Sequence, residues 1–263
     1  MLNTPQHFED VTLLVTHYNR SSSLERLLKT FSDLNCTFAD IVISDDGSKP
    51  EHQQKLKELQ PTYHFKLVTT PTNKGLGNNI NKGQDFVKTP YTLYIQEDFI
   101  PKPSFATHFS DALLFMKKDD SLDIARFYAY FNYPYTEPFE KGFLKMIFKS
   151  SPWYSNHLKF YYYSDHPHLR RTSFFDKFGR YPEGIKGDET EFRMALSFIK
   201  NKGKGIIFND LTGMIDQANS AAEPSTMVRS DWKQNKNILT LAMRAVYLKY
   251  RFLKNNLQLI FMR

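Results

Sequence analysis

Cysteine is nearly absent from this chain. Its 263 residues include one, Cys36, so no disulfide can form within it. A reducing compartment fits that usage, although exported proteins without disulfides also exist. Long apolar runs are missing too. No stretch of 18 uninterrupted apolar residues occurs, so no transmembrane helix is expected. The opening MLNTPQHFED has neither a basic nor an apolar stretch, so no signal peptide is expected either. Acid is scarce at the C-terminal end. Between Arg229 and Arg263, eight basic residues face one acid, Asp231. That tail carries the whole net charge of +7, and the rest is near neutral. A uniformly basic surface of the kind that binds nucleic acid is therefore not expected. Internal repeats and low-complexity tracts are also absent. The expected location is cytoplasmic, with the inner face of the cell membrane as a further place for the tail.

Aromatic residues, by contrast, are plentiful. They make up 15% of the chain and apolar residues 41%, enough for a packed core in one large α/β domain with or without an appendage. Val11–Thr16 reads as a buried strand, and Ile41–Ile43, Phe65–Val68 and Tyr91–Ile95 read as further strands. Between them, Leu24 to Leu34, His52 to Leu59 (stopping before Pro61) and the segment from Lys74 to about Val87 read as helices. Such alternation predicts right-handed crossovers and a mostly parallel sheet. The polar clusters Thr16–Asn19, Asp45–Ser48 and Gln96–Asp98 all fall at strand carboxyl ends, the edge that lines the ligand crevice in open sheets. Residues 120–180 are less regular and very aromatic, and suit both a core and a sugar-stacking surface. Residues 184–200 read as a loop entering a helix, and Ile206–Phe208 as a late strand.

Four constellations could carry chemistry. Asp45-Asp46-Gly47-Ser48 can bind a base or ribose through a carboxylate, or can simply be a turn. Gln96-Glu97-Asp98 can hold a hard cation against a diphosphate, or can be a solvated acidic loop. Gly187-Asp188-Glu189-Thr190-Glu191 opens a helix, where acids are favoured by the macrodipole alone, or supplies a general base. Asn73-Lys74-Gly75-Leu76-Gly77-Asn78-Asn79 allows close backbone approach to a phosphate, but it is neither a P-loop nor a dinucleotide fingerprint.

Taken together and in order, these segments resemble the family 2 glycosyltransferases, inverting enzymes of the GT-A fold. Thr16-His17-Tyr18-Asn19-Arg20 is similar to their "T-x-Y-N-R" strand exit. Ser44-Asp45-Asp46-Gly47-Ser48 is similar to "V-D-D-G-S", and Asn73-Lys74-Gly75 with Asn78 to "N-x-G-x-x-x-A-x-N". Gln96-Glu97-Asp98 stands at their metal-binding acids, and Gly187-Asp188-Glu189 at the "G-E-D" segment. The resemblance implies a Rossmann-like, mostly parallel mixed sheet flanked by helices. It also implies a nucleoside-diphosphate sugar donor, commonly UDP-linked, and a divalent metal, Mn²⁺ or Mg²⁺. Thr16, Tyr18 and Asp45 would contact the base, with Asp46 near it. Asn78 and Lys82 would lie near the nucleotide and Glu97 near the ribose or metal. Asp98 would ligate the metal, and Asp188 or Glu189 would be the base. Two departures stand out. Gln96 replaces the first metal acid, and no late histidine exists, with Asp216 or Gln217 about where it should be.

Tyr163–Arg171 precedes the base segment. There His166, His168, Arg170 and Arg171 can bind acceptor hydroxyls or a lipid-linked diphosphate, or can be surface loop residues. The expected organisation is a catalytic domain over 1–228, with a nucleotide-binding half at about 1–118 and an acceptor-binding half at about 119–228. Residues 229–263 form a basic amphipathic helix, with Leu239, Ala242, Val246, Tyr250, Leu253, Leu257 and Ile260 on one stripe. That helix can lie on an anionic membrane, pack on the domain or meet another subunit. The expected activity is sugar transfer to a glycan or lipid-linked hydroxyl in cell-surface polysaccharide synthesis. A nucleotidyltransferase and a degenerate sugar-binding module are the alternatives. Oligomeric state is not legible.

Overall fold

The computed structural model describes residues 5–151, 153–218, 223 and 237–261. Strand β1 (Gln6–His17) leads into helix α1 (Ser21–Asp33), whose Leu24, Leu27, Leu28 and Phe31 face the core. Then come β2 (Cys36–Asp45), α2 (Pro50–Tyr63), β3 (Lys66–Thr69), α3 (Leu76–Gln84) and β4 (Tyr91–Gln96). The second half supplies β5 (Phe99–Pro101), α4 (Phe105–Lys118), β6 (Ile124–Arg126), β7 (Thr136–Pro138) and β8 (Phe143–Met146). It continues with β9 (His168–Arg171), α5 (Phe174–Phe178), α6 (Gly187–Lys200), β10 (Gly205–Phe208), β11 (Ile215–Gln217) and α7 (Ile238–Phe261). One expectation fails locally. Helix α2 runs through Pro61 to Tyr63 and is closed by the left-handed His64 cap. Proline removes only one N–H there, and so late in the helix the loss is small.

One nine-stranded sheet, ordered β3-β2-β1-β4-β9-β6-β10-β8-β7, crosses both halves of the chain. β3, β2, β1 and β4 are mutually parallel, as the alternation predicts. β9 then enters antiparallel between β4 and β6. Side chains alternate across the sheet. Leu13, Val15, Leu93 and Ile95 pack with α1, α2 and α4 on one face. Leu14, Val42 and Tyr94 pack with α3, α5 and α6 on the other. Most of the aromatic block is core. Phe127, Tyr128, Tyr133, Phe160, Tyr162 and Tyr163 are buried, whereas Tyr130, Trp153 and Tyr154 are exposed. Of the tail, 238–261 form α7, while 229–236, 262–263 and the side chains of Leu239 and Ala242 in the expected stripe lie outside what is described.

Strand order fixes where a ligand can enter. From β1 the chain steps to β2 and β3 on one side, then crosses to β4 on the other. The crevice outside the carboxyl ends of β1 and β4 is thus the switch point of the sheet. Thr16 pairs with Gln96 in register there, which brings the β1 exit and the Gln96-Glu97-Asp98 cluster side by side.

Candidate functional site

The β1 exit is held by its neighbours rather than by solvent. Asn19 takes a left-handed φ of 53°, which asparagine tolerates better than most residues. Its amide donates to Ser48 Oγ at 2.8 Å, and its Oδ1 accepts from the Lys49 amide at 2.8 Å. Thr16 Oγ1 lies 3.1 Å from Tyr94 Oη, and both residues are buried. Tyr18 is partly exposed at the crevice.

Asp45 and Asp46 differ in what they hold. Asp45 is fully buried, with Oδ1 2.8 Å from His17 Nδ1 and Oδ2 accepting from Ser48 N and Thr69 Oγ1, each at 3.1 Å. The Arg20 amide donates to His17 Nε2 at 3.2 Å, so Nε2 is an acceptor and the ring proton sits on Nδ1, facing Asp45. Burial alone would raise the Asp45 carboxyl, but the His17 and Ser48 hydrogen bonds outweigh it and hold it at about 2. Asp46 accepts from the Lys74 and Gly75 amides at 2.9 Å each, pinning the glycine loop beneath α3. Burial raises its carboxyl despite those bonds. Lys82 reaches the Asp45 carbonyl at 2.5 Å, and burial lowers its ammonium while Asp46 and Asp45 oppose that. Asn78 donates to Glu183 at 2.7 Å, tying α3 to the loop that opens α6. Gly77 lets the two approach, since a Cβ there would lie 2.4 Å from the Pro182 carbonyl oxygen.

At the β4 exit, Arg20 and Gln217 converge on Asp98. Arg20 Nη1 lies 3.1 Å from Asp98 Oδ2 and 3.8 Å from Glu97 Oε1. Gln217 Nε2 donates to the same Oδ2 at 2.9 Å. Gln217 arrives because β11 pairs antiparallel with β5, placing it opposite Phe99. Burial, then the Asp98 charge, push the Glu97 carboxyl up to about 8, with Arg20 pulling the other way. Asp98 Oδ1 is buried and has no hydrogen-bond partner among the described residues. One open carboxylate oxygen fits a hard cation that takes its remaining ligands from a diphosphate. Among the described residues no three His, Cys, Asp or Glu side chains gather around a common point, so the chain offers no closed metal cage.

Helix α6 carries the third acidic segment in its first turn. Asp188 is exposed in its first turn and makes no hydrogen bond among the described residues, whereas Glu189 pairs with Arg193 at 2.9 Å. Behind them lies a pair that sequence reasoning passed over. The Asp165 amide donates to Glu191 Oε1 at 3.2 Å, and Asp165 Oδ2 accepts from Gln96 Nε2 at 3.2 Å. Gln96, which replaces an expected acid, is thereby the link from β4 to α6. Burial and the Glu191 charge push the Asp165 carboxyl well above the usual range, with Asp188 adding to this. Buried Arg126 faces the same group, and desolvation lowers it to about 10. The sequence did hold a signal for Glu191: three residues after Asp188, it shares the same helix face.

The four residues assigned to the acceptor separate. His166 stays at the crevice, its ring edge-on to Tyr130 at 4.7 Å, and Tyr130 Oη donates to Gln217 Oε1 at 2.7 Å. Burial, then Arg126, lower the His166 imidazolium to about 3, so the ring is neutral. His168 and Arg170 are instead fully buried on β9. Arg170 donates to Gln84 Oε1 at 2.7 Å and lies over the rings of Tyr94, Phe174 and Phe175. Arg171 pairs in register with Tyr91, at the far end of β4 from the crevice, and donates to the Leu122 carbonyl at 3.0 Å. The reading of His168, Arg170 and Arg171 as acceptor ligands is therefore corrected. A short strand in mid-sheet, indistinguishable from a polar loop by sequence, takes them inward.

Comparison with known proteins agrees with this geometry. A family model described as "Glycosyl transferase family 2" matches residues 12–179. Poly-beta-1,6-N-acetyl-D-glucosamine synthase of Staphylococcus epidermidis is 25% identical over 95 residues, 36% of this chain and 23% of that protein. The match thus spans under a quarter of that relative's length. Among solved structures, S. aureus TarS 1-349 in complex with UDP-GlcNAc superposes with a TM-score of 0.60 at 16% identity, covering 90% of this chain and 66% of that one. The mannosyltransferase PcManGT from Pyrobaculum calidifontis, in complex with GDP-Man and Mn²⁺, does so with a TM-score of 0.52 at 12% identity, covering 77% and 55%. With the family model spanning well over half of its residues and the sheet shared with these structures, the chain belongs to glycosyl transferase family 2 and has the GT-A fold.

Proposed function

We propose that this enzyme moves a sugar, with inversion, from a UDP-linked donor to a hydroxyl of a glycan or lipid-linked acceptor in cell-surface polysaccharide synthesis. One observation carries the reading. Asp98 carries an open, buried carboxylate oxygen, and Gln96, two residues before it, bonds Asp165, whose carboxyl feels the charge of Asp188, an exposed acid with no hydrogen bond among the described residues. Asp98 suits the diphosphate side of a donor, Asp188 the acceptor side. UDP is supported by the UDP-GlcNAc bound to TarS, and polysaccharide synthesis by the name of the Staphylococcus epidermidis relative.

The chemistry follows from those groups. Asp188 takes the proton of the acceptor hydroxyl as its oxygen attacks the anomeric carbon. The bond from that carbon to the β-phosphate oxygen breaks, and the nucleoside diphosphate leaves with the electron pair. Arg20, already beside Asp98 and Glu97, offsets the charge that develops there. A divalent cation, Mn²⁺ or Mg²⁺, held by Asp98 and the diphosphate would supply further charge neutralisation. Tyr18, Asn78 and Lys82, the partly exposed members of the nucleotide set, face the donor. Thr16, Asp45 and Asp46 shape the wall behind them. The His166–Tyr130 edge lines the sugar side.

The test is a turnover screen with UDP-, GDP- and dTDP-sugars, read by nucleoside diphosphate release, beside thermal shifts with Mn²⁺. A donor that binds only the folded chain raises the melting point. The Mn²⁺-dependent part of that rise should vanish in Asp98→Asn. Pyrophosphate release, or a metal-dependent shift that survives Asp98→Asn, would overturn the assignment.

A further inference from the structure

Helix α7 is built with two opposed faces. One is committed to the domain. Asn255 is buried, the Phe252 ring lies 6.2 Å from Phe160 with Lys159 Nζ 4.9 Å above it, and Arg251 donates to Tyr161 Oη at 2.5 Å. Leu259 packs against the same core. The other face is apolar and open. Val246, Tyr250, Leu253, Leu257 and Ile260 follow one another at spacings of four and three residues, so they form one stripe along the helix. They are 54–71% exposed, and on a helical wheel they stand opposite Asn255. Phe261 extends the stripe and is 75% exposed. Exposed Lys249 and Lys254 flank it on either side.

We propose that α7 lays this stripe on an anionic lipid bilayer, with Lys249 and Lys254 meeting the headgroups. Charge decides between the occupants. No acid occurs from Trp232 to Arg263, so a second copy of the helix would bring lysine rows against each other with nothing to neutralise them. An anionic surface supplies the missing charge along both edges at once. Helices of this pattern lie in the interface plane instead of spanning it. In agreement, no described helix is long and apolar enough to cross a membrane.

The placement also orients the crevice. Arg251 joins α7 to Tyr161, and Tyr161 lies within the electrostatic reach of Asp188. Helix α7 packs against α6, the helix that carries Asp188, so docking of α7 brings α6 near the bilayer. That last point rests on Asp188 as the base, whereas the docking itself does not.

The experiment is co-sedimentation of the full chain with vesicles of phosphatidylcholine alone or with about one third phosphatidylglycerol. Binding to the anionic vesicles should exceed binding to the neutral ones by about tenfold and should fall in ~0.5 M salt. The exposed double variants Leu253→Ser/Leu257→Ser and Lys249→Glu/Lys254→Glu should each lose it, while turnover with a soluble acceptor stays at the wild-type level. Equal binding to both vesicle types, or none, overturns the proposal. So does a wild-type dimer in light scattering that Leu253→Ser/Leu257→Ser converts to monomer, since a second copy would then cover the stripe. A chain that docks but shows no turnover with any nucleotide sugar refutes the proposed function and leaves the docking standing.

Discussion

Replacing Asp188 by asparagine keeps the side chain's size and removes its ability to take a proton. Asp188 is exposed and has no hydrogen bond among the described residues, so the fold loses little. A first-turn acid gains only ~0.3–1 kcal/mol from the helix dipole at the surface. The catalytic loss is far larger. A positioned general base contributes about 10²–10⁴ in rate, which at ~1.36 kcal/mol per decade is roughly 3–5 kcal/mol of barrier. Glu189 offers the contrast. Its carboxylate is occupied by Arg193 at 2.9 Å, with both side chains about half exposed, and a surface pair of this kind is worth ~0.3–0.5 kcal/mol. Glu189→Gln should therefore leave turnover close to wild type. The assay is steady-state nucleoside diphosphate release, with donor affinity measured separately by thermal shift. Asp188→Asn should lower kcat with donor binding and melting point retained. If Glu189→Gln shows the large loss, or Asp188→Asn stays within a factor of about two, the assignment of the base is wrong.

The His17–Asp45 pair makes a pH prediction. The Asp45 carboxyl is held at about 2 against an ordinary 3.8, so its contribution of about 2 kcal/mol is full above about pH 4 and is lost as pH falls through about 2. In urea melts, the stability gap between wild type and Asp45→Asn should shrink over that window, and a gap constant from pH 5 to pH 2 would refute it. Gly77→Ala puts a methyl 2.4 Å from the Pro182 carbonyl oxygen and 2.9 Å from Thr190 Oγ1. It should cost about 1–3 kcal/mol in denaturant melts. Turnover should suffer more than this implies, because the shift falls on the turn that carries Asp188, and unchanged kcat would exclude that coupling.

The first half of the fold was legible because its strands are short apolar runs followed by polar residues, and α1 and α2 repeat leucine at helical spacing. That the carboxyl ends of the strands line the crevice followed from that order, whereas the switch point required the strand order of the sheet. What stayed hidden depends on contacts far apart in sequence. Three-residue strands such as β5 and β11 have no periodicity to detect, yet they bring Gln217 to Asp98 across 119 positions. β9 reads as a polar loop, His-Leu-Arg-Arg, and only the aromatic faces of Tyr94, Phe174 and Phe175 make it a place for a buried guanidinium. Arg20 belonged to a recognised strand exit, but its ion pair with Asp98 required the register of β1 on β4. The tail's stripe was visible as a pattern. Which side of the helix would meet the domain was not, because its packed face rests on Phe252, Asn255 and Leu259, outside the stripe.

Threading β9 antiparallel between β4 and β6 has a consequence for dissection of the enzyme. A fragment ending near residue 118 would keep the four parallel strands β3-β2-β1-β4 but strip the partner from one side of Tyr91–Gln96. That strand is almost entirely buried, with no charge, proline or bulge along it to deter pairing with another molecule. Such a fragment should self-associate through this bare edge. These four strands therefore depend on residues about 75 positions downstream to cover their edge.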